Sequence, residues 1–127
     1  MFKPNSIIIY VKNVDISTDF YTKLFAQEPI ETYPGFAVFL LKDEFVLGLQ
    51  QADEITPKAP KHYGGFELSL SDVTKDEVDK IYSEWRKLNL KIELEPQMLD
   101  FGYTFVANDP DGHRLRVCAT DTSKFDV

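Results

Sequence analysis

At 127 residues, 43% hydrophobic and 28% charged, the chain has the length of one globular domain and is too short for two independent ones. Fourteen basic residues against twenty-one acidic ones give a net charge of −7, and the basic residues are scattered, which argues against nucleic acid and membrane surfaces as partners. No apolar stretch is long enough to span a bilayer or serve as a signal sequence, and the single cysteine, Cys118, excludes an intrachain disulfide, so a cytoplasmic protein is expected.

Ser6 to Val11 is a β-branched and aromatic run and predicts a strand. Asp15 then opens a segment with apolar residues at Ile16, Phe20 and Leu24, the spacing of an amphipathic helix, which Pro29 limits. Phe36 to Leu41, a Lys42-Asp43-Glu44 turn and Phe45 to Gln50 predict a hairpin. Residues 51–63 are polar, carry Pro57 and Pro60 and lack periodicity, which marks a linker between a first module at about 5–50 and a second at about 64–120 within one domain, 1–127.

The pattern restarts after Gly64 and Gly65. Phe66, Leu68 and Leu70 alternate with Glu67, Ser69 and Ser71, as in a half-buried strand. Thr74 and Glu77 form a capping box ahead of a helix whose apolar face is Val78, Ile81, Tyr82, Trp85 and Leu88. Lys91 to Leu94, Tyr103 to Asn108 and Arg114 to Ala119 follow as strands, the last two joined across Asp109-Pro110-Asp111-Gly112. Laid over each other, the halves match Ser6 with Gly65, Asn13-Val14 with Asp72-Val73 and Tyr21 with Tyr82, so the expected fold is α+β, with two tandem βαβββ modules and mixed or antiparallel sheet curved around a cleft.

Within that repeat, Tyr10 to Asp15, Phe20 to Phe25 and the Asn108-Asp109-Pro110-Asp111-Gly112-His113 string resemble the vicinal oxygen chelate superfamily of glyoxalases, bleomycin-resistance proteins and extradiol dioxygenases. The resemblance implies that enzymes of the family hold a divalent metal from the first and last strands of each module. Those positions fall here on Ser6, Gly65 and Arg116, with Gln50 the one polar candidate on the remaining strand. The chain also has only two histidines and one cysteine, His62 in the linker and His113 in the turn, both read as solvated loop residues. No metal and no other cofactor are therefore expected.

With the family's ligand positions as phase reference, Ser6, Ile8, Tyr10, Gly65, Glu67, Ser69, Arg114, Arg116 and Cys118 face the cleft, while Phe66, Leu68, Leu70, Leu115 and Val117 face the core. Tyr33, Phe36, Phe39, Phe101, Tyr103 and Phe105 cluster around it, and of these Tyr33, Phe36, Phe101 and Tyr103 are candidates for stacking on a ligand. Arg116 either anchors a ligand carboxylate or closes an internal ion pair with Glu67; both readings stay open. The candidate ligand-binding residues are Ser6, Tyr10, Tyr33, Phe36, Gln50, Glu67, Ser69, Phe101, Tyr103 and Arg116, with no catalytic residue among them.

The leading expectation is a homodimer that sequesters an aromatic, optionally acidic, small molecule, similar to the antibiotic-binding and phenazine-resistance branch of the superfamily. The first alternative is a metal-dependent enzyme of glyoxalase or dioxygenase type using Glu67, Gln50 and His62. The second is a small partner-binding or regulatory module whose cleft is filled by its own side chains.

Overall fold

The structure is a computed structural model that describes residues 1–62 and 64–125. The chain divides into two compact units, Met1–Tyr63 and Gly64–Val127. The first comprises β1 (Ser6–Val11), α1 (Val14–Phe25), β2 (Glu31–Tyr33), β3 (Phe36–Leu40) and β4 (Val46–Gln51). The second comprises β5 (Glu67–Leu70), α2 (Lys75–Lys87), β6 (Lys91–Leu99), β7 (Gly102–Asn108) and β8 (Arg114–Thr120). Each is βαβββ.

Strand order is the same in both sheets, β1-β4-β3-β2 and β5-β8-β7-β6. The first strand of each unit runs parallel to the last, and the other pairings are antiparallel. This pattern follows from the connections: a parallel partner needs a crossover, which the helix supplies, whereas the remaining strands are joined by short turns. The last residue of each sheet's final strand also ties down the strand-to-helix junction. Gln51 accepts from Val14 N at 2.9 Å and donates to Lys12 O at 2.8 Å; Thr120 Oγ1 accepts from Asp72 N at 3.0 Å.

In α1 the stripe at Ile16, Phe20 and Leu24 is not the buried face. The buried line has the same spacing but lies one residue on, about 100° around the helix, which leaves Ile16 57% exposed. The buried positions are Val14, Ser17 and Tyr21, and Phe25 continues the same line. Tyr21 packs against Phe25 at 5.3 Å and Phe39 at 6.4 Å between ring centroids. Asn13 caps the helix, its side chain accepting from Asp15 N and Ile16 N.

The capping box of α2 is present, with Thr74 Oγ1 accepting from Glu77 N and Glu77 accepting from Thr74 N, each at 3.1 Å. Val78, Phe105, Ala107, Val117 and Ala119 form the buried core, against which Ile81, Tyr82 and Trp85 pack. Tyr82 and Trp85 each meet the Phe105 ring edge-on at 5.3 Å. Leu88 does not join them. The helix ends there, Asn89 turns into the left-handed region at φ 62°, and Leu90 takes the packing position while Leu88 stays 47% exposed. A tyrosine of the helix over a phenylalanine of the third strand is thus the shared core motif of both units, Tyr21 on Phe39 and Tyr82 on Phe105.

Two elements differ from expectation. β2 spans only three residues, too few to show alternation, and is held by pairing with β3. β6 runs on past Leu94 to Leu99 through two register shifts; Pro96 is tolerated because β6 is an edge strand. Among the described residues no helix is long and apolar enough to cross a membrane.

Thr74→Ala is expected to cost about 1 kcal/mol in urea unfolding through loss of the cap. Gly102→Ala should cost more, because φ is +135° there and a Cβ would overlap the Ala119 carbonyl oxygen on the neighbouring strand. Equal small effects in both variants would contradict these assignments.

Candidate functional site

Period-two alternation gives each sheet a face against its helix and an open face turned away from it. In the first unit Ile9, Val11, Ala37, Phe39, Leu47 and Leu49 are buried against α1. Cross-strand pairing then sets Tyr10 beside Gln50, Gln50 beside Phe36 and Phe36 beside Tyr33, so four of the candidate residues form one row across all four strands of the open face. Ser6, paired with Val46, lies two rows away. Between them Gly48 leaves room for its neighbours, since a Cβ there would lie 2.5 Å from Ile8 Cδ1 and 2.8 Å from Phe36 Cζ. Hydrogen bonds hold two side chains of the row: Tyr33 donates its hydroxyl to Glu31 Oε2 at 2.6 Å, and Gln50 Nε2 donates to Gln51 O at 3.0 Å.

On the open face of the second unit, Ser69 pairs with Arg116, and Glu67 pairs with Arg114. Arg116 Nε reaches both carboxylate oxygens of Glu67, at 3.2 and 3.0 Å, with side chains only 27% and 36% exposed. Arg114 instead binds Glu93 at 2.6 Å. Ser69 lies near Ser71, their hydroxyls 3.1 Å apart. Of the two readings open for Arg116, the geometry realises the internal ion pair.

Around that pair is an open cavity of about 950 Å³, lined entirely by the second unit. Its floor is Glu67, Arg116, Cys118 and Thr104, and one wall is the β6–β7 turn with Met98, Leu99, Asp100, Phe101 and Gly102. The adjoining wall is the segment after β8, contributing Asp121, Ser123 and Lys124. The two walls are tied together: Asp121 N donates to Phe101 O at 2.8 Å, Lys124 Nζ to Asp100 Oδ1 at 2.6 Å, and the Phe125 ring stacks on Phe101 at 5.2 Å. The wall after β8 carries no periodicity or motif, and sequence reasoning passed over it.

Several expected placements are corrected. Tyr103 belongs to the helix side, where its hydroxyl donates to Asp79 Oδ1 at 2.6 Å and its ring packs on the core. Phe39 and Phe105 are fully buried core residues, not cleft residues. Leu70, expected in the core, is 49% exposed near the end of a short strand. His113 is not solvated: it is 2% exposed, its Nδ1 lies 2.7 Å from Asp109 Oδ2, and its ring meets Phe66 at 5.1 Å. Asp109 also accepts from the amides of Asp111 and His113, which closes the turn.

The positions that would hold a metal do not fit one. Ser6 offers only a hydroxyl, Gly65 precedes β5 in a φ +94° conformation without a side chain, and Arg116 places a guanidinium on the carboxylate of Glu67. Asp109, Asp111 and His113 do bring ligand atoms within 4.8 Å of one another, and of these the Asp109 carboxylate and the His113 ring are bonded to each other in closing the turn.

The glyoxalase/bleomycin resistance protein/dioxygenase superfamily model matches residues 3–117. The chain belongs to that superfamily. It is 34% identical over 122 residues to the phenazine antibiotic resistance protein EhpR of Enterobacter agglomerans, covering 93% of this chain and 92% of that one. A trivalent organoarsenical cleaving enzyme of Bacillus sp. (strain MD1) is 29% identical over 120 residues, covering 89% of this chain and 70% of that protein. The solution structure of a protein from Agrobacterium tumefaciens superposes with a TM-score of 0.81 at 37% identity, covering 95% of this chain and 99% of that one. The superfamily assignment accounts for the repeated βαβββ units.

Hydrogen bonding to the Asp79 carboxylate, then burial, raises the Tyr103 pKa above its ordinary value of about 10. Because the folded value exceeds the unfolded one, the stabilisation is complete below pH about 10 and is lost as pH rises through the folded pKa. Asp79→Asn should move this ionisation back down, read as the alkaline ultraviolet difference between each protein and its Tyr103→Phe counterpart. An unmoved titration would contradict the placement of Tyr103.

Proposed function

We propose that the chain is a cytoplasmic, homodimeric binding protein that sequesters an aromatic small molecule on the open face of its second unit, without a metal ion. The observation that carries this reading is the cavity of about 950 Å³ with Phe101, Leu99 and Met98 on one wall and the Glu67–Arg116 pair on its floor. Its volume suits a fused-ring ligand, and an apolar wall with a few fixed polar groups is what such a ligand requires. Identity to a phenazine resistance protein across nearly the whole of both chains supports the same class of ligand. The acidic group considered from the sequence has less support, because the guanidinium that would receive it is already engaged by Glu67.

The alternative of an enzyme, which the superfamily resemblance would make metal-dependent, is favoured by one observation, the identity to the organoarsenical cleaving enzyme. Against it stands the ion pair at a position where the superfamily's enzymes carry a ligand, since a guanidinium there repels a divalent cation.

Calorimetric titration of chelator-treated protein with unsubstituted phenazine should give saturable binding that added zinc or manganese does not strengthen. Phe101→Ala should weaken it about tenfold, roughly 1.4 kcal/mol, through loss of the aromatic wall. Absence of binding until a divalent metal is supplied would overturn the proposal in favour of the enzyme.

A further inference from the structure

Proposing a ligand class leaves its charge open, and the cavity's own charges address that. Five formally charged side chains line it: Glu67, Arg116, Asp100, Lys124 and Asp121. Both cations are already matched at ion-pair distance, Arg116 by Glu67 at 3.0 Å and Lys124 by Asp100 at 2.6 Å. Among the described residues no cation lies at that distance from the fifth group, Asp121, whose carboxylate accepts from Ser123 N at 3.0 Å; Lys75 of α2, outside the cavity lining, attracts it only from farther away. Two positive charges against three negative leave the cavity one negative charge in excess.

Resting on the binding reading above, we infer that the cavity selects neutral or cationic planar aromatic ligands over anionic ones, with Asp121 as the residue that sets this preference. Three further observations support it. Bonds from the Ser123 hydroxyl and amide hold the Asp121 pKa below the ordinary carboxylate range, so the charge persists through neutral pH. Phe101, 62% exposed and stacked on Phe125 at 5.2 Å, brings an aromatic face to the same cavity lining as Asp121, a surface that attracts a delocalised cation; Lys124 Nζ already lies over the Phe125 ring, 5.3 Å from its centroid. The chain's charge of −7 also disfavours approach of an anion. An anionic ligand would have to displace Glu67 from Arg116 or Asp100 from Lys124, leaving a carboxylate unpaired beside it.

The test uses three probes of similar shape, phenazine, phenazine-1-carboxylate and N-methylphenazinium, titrated calorimetrically in the dark at 50 and 300 mM salt. The cation should bind about tenfold or more tightly than the carboxylate at low salt, with the neutral ring between them and the spread narrowing at high salt. Asp121→Asn retains a carbonyl oxygen for Ser123 N while removing the charge. It should weaken the cation and strengthen the anion, each about three- to tenfold, with little change for phenazine. Glu84→Gln removes the same charge from α2, which packs on the opposite face of the sheet, and should leave the order intact. A carboxylate that binds wild type as tightly as the cation, or a selectivity that Asp121→Asn does not move, overturns the charge assignment while phenazine binding itself stands. Failure of all three probes to bind overturns the binding reading and this inference with it.

Discussion

The parallel pairing of the first strand of each unit with its last is the constraint on which the rest of the structure depends. Once β1 is set beside β4 and β5 beside β8, a helix must carry the crossover, and it covers one face of each sheet. Because side chains alternate, the same pairing decides which residues the helix buries and which remain on the other face. A slip of one residue would send Val117 and Leu115 outward and Arg116 into the apolar core, a cost large enough to lock the register. The latches from Gln51 to Val14 and Lys12, and from Thr120 to Asp72, hold the crossover where that register needs it.

Much of this was legible in the sequence because it rests on periodicities. Ser6–Val11 is bounded as the residue run predicts, and the Thr74–Glu77 capping box forms as written. The open-face phase of Arg114, Arg116, Glu67 and Ser69 follows from strict alternation. What could not be read lacks a period. β2 is too short to alternate, β6 continues through Pro96 only because it is an edge, and the helix face of α1 is set by where Tyr21 finds Phe39 rather than by the Ile16–Phe20–Leu24 spacing. Tyr103 illustrates a further limit: its neighbour Gly102 faces the cavity, but alternation turns Tyr103 itself toward Asp79. His113 was misjudged because a turn histidine is ordinarily solvated, whereas this one is enclosed by its bond to Asp109 and by Phe66.

At the floor of the cavity, one ion pair occupies the last-strand position at which the superfamily resemblance implies a metal ligand. Glu67 could contribute to a metal site only if Arg116 released it, and Arg116 held at 3.0 and 3.2 Å is a poor neighbour for a divalent ion. On the proposed reading, recognition in this cavity rests on aromatic surface and on the net charge of its walls. The wall after β8, which no motif announces, is what makes the open face a cavity, through the bonds from Asp121 to Phe101 and from Lys124 to Asp100.

The most direct measurement is a ¹⁵N-resolved NMR titration of chelator-treated protein with unsubstituted phenazine, following backbone amides across both units. Shifts concentrated at Phe101, Gly102, Arg116, Cys118, Ser123 and Lys124, reached without metal, are the predicted result. Shifts confined to the Tyr10–Gln50–Phe36–Tyr33 row, or none until a divalent ion is added, would contradict the account.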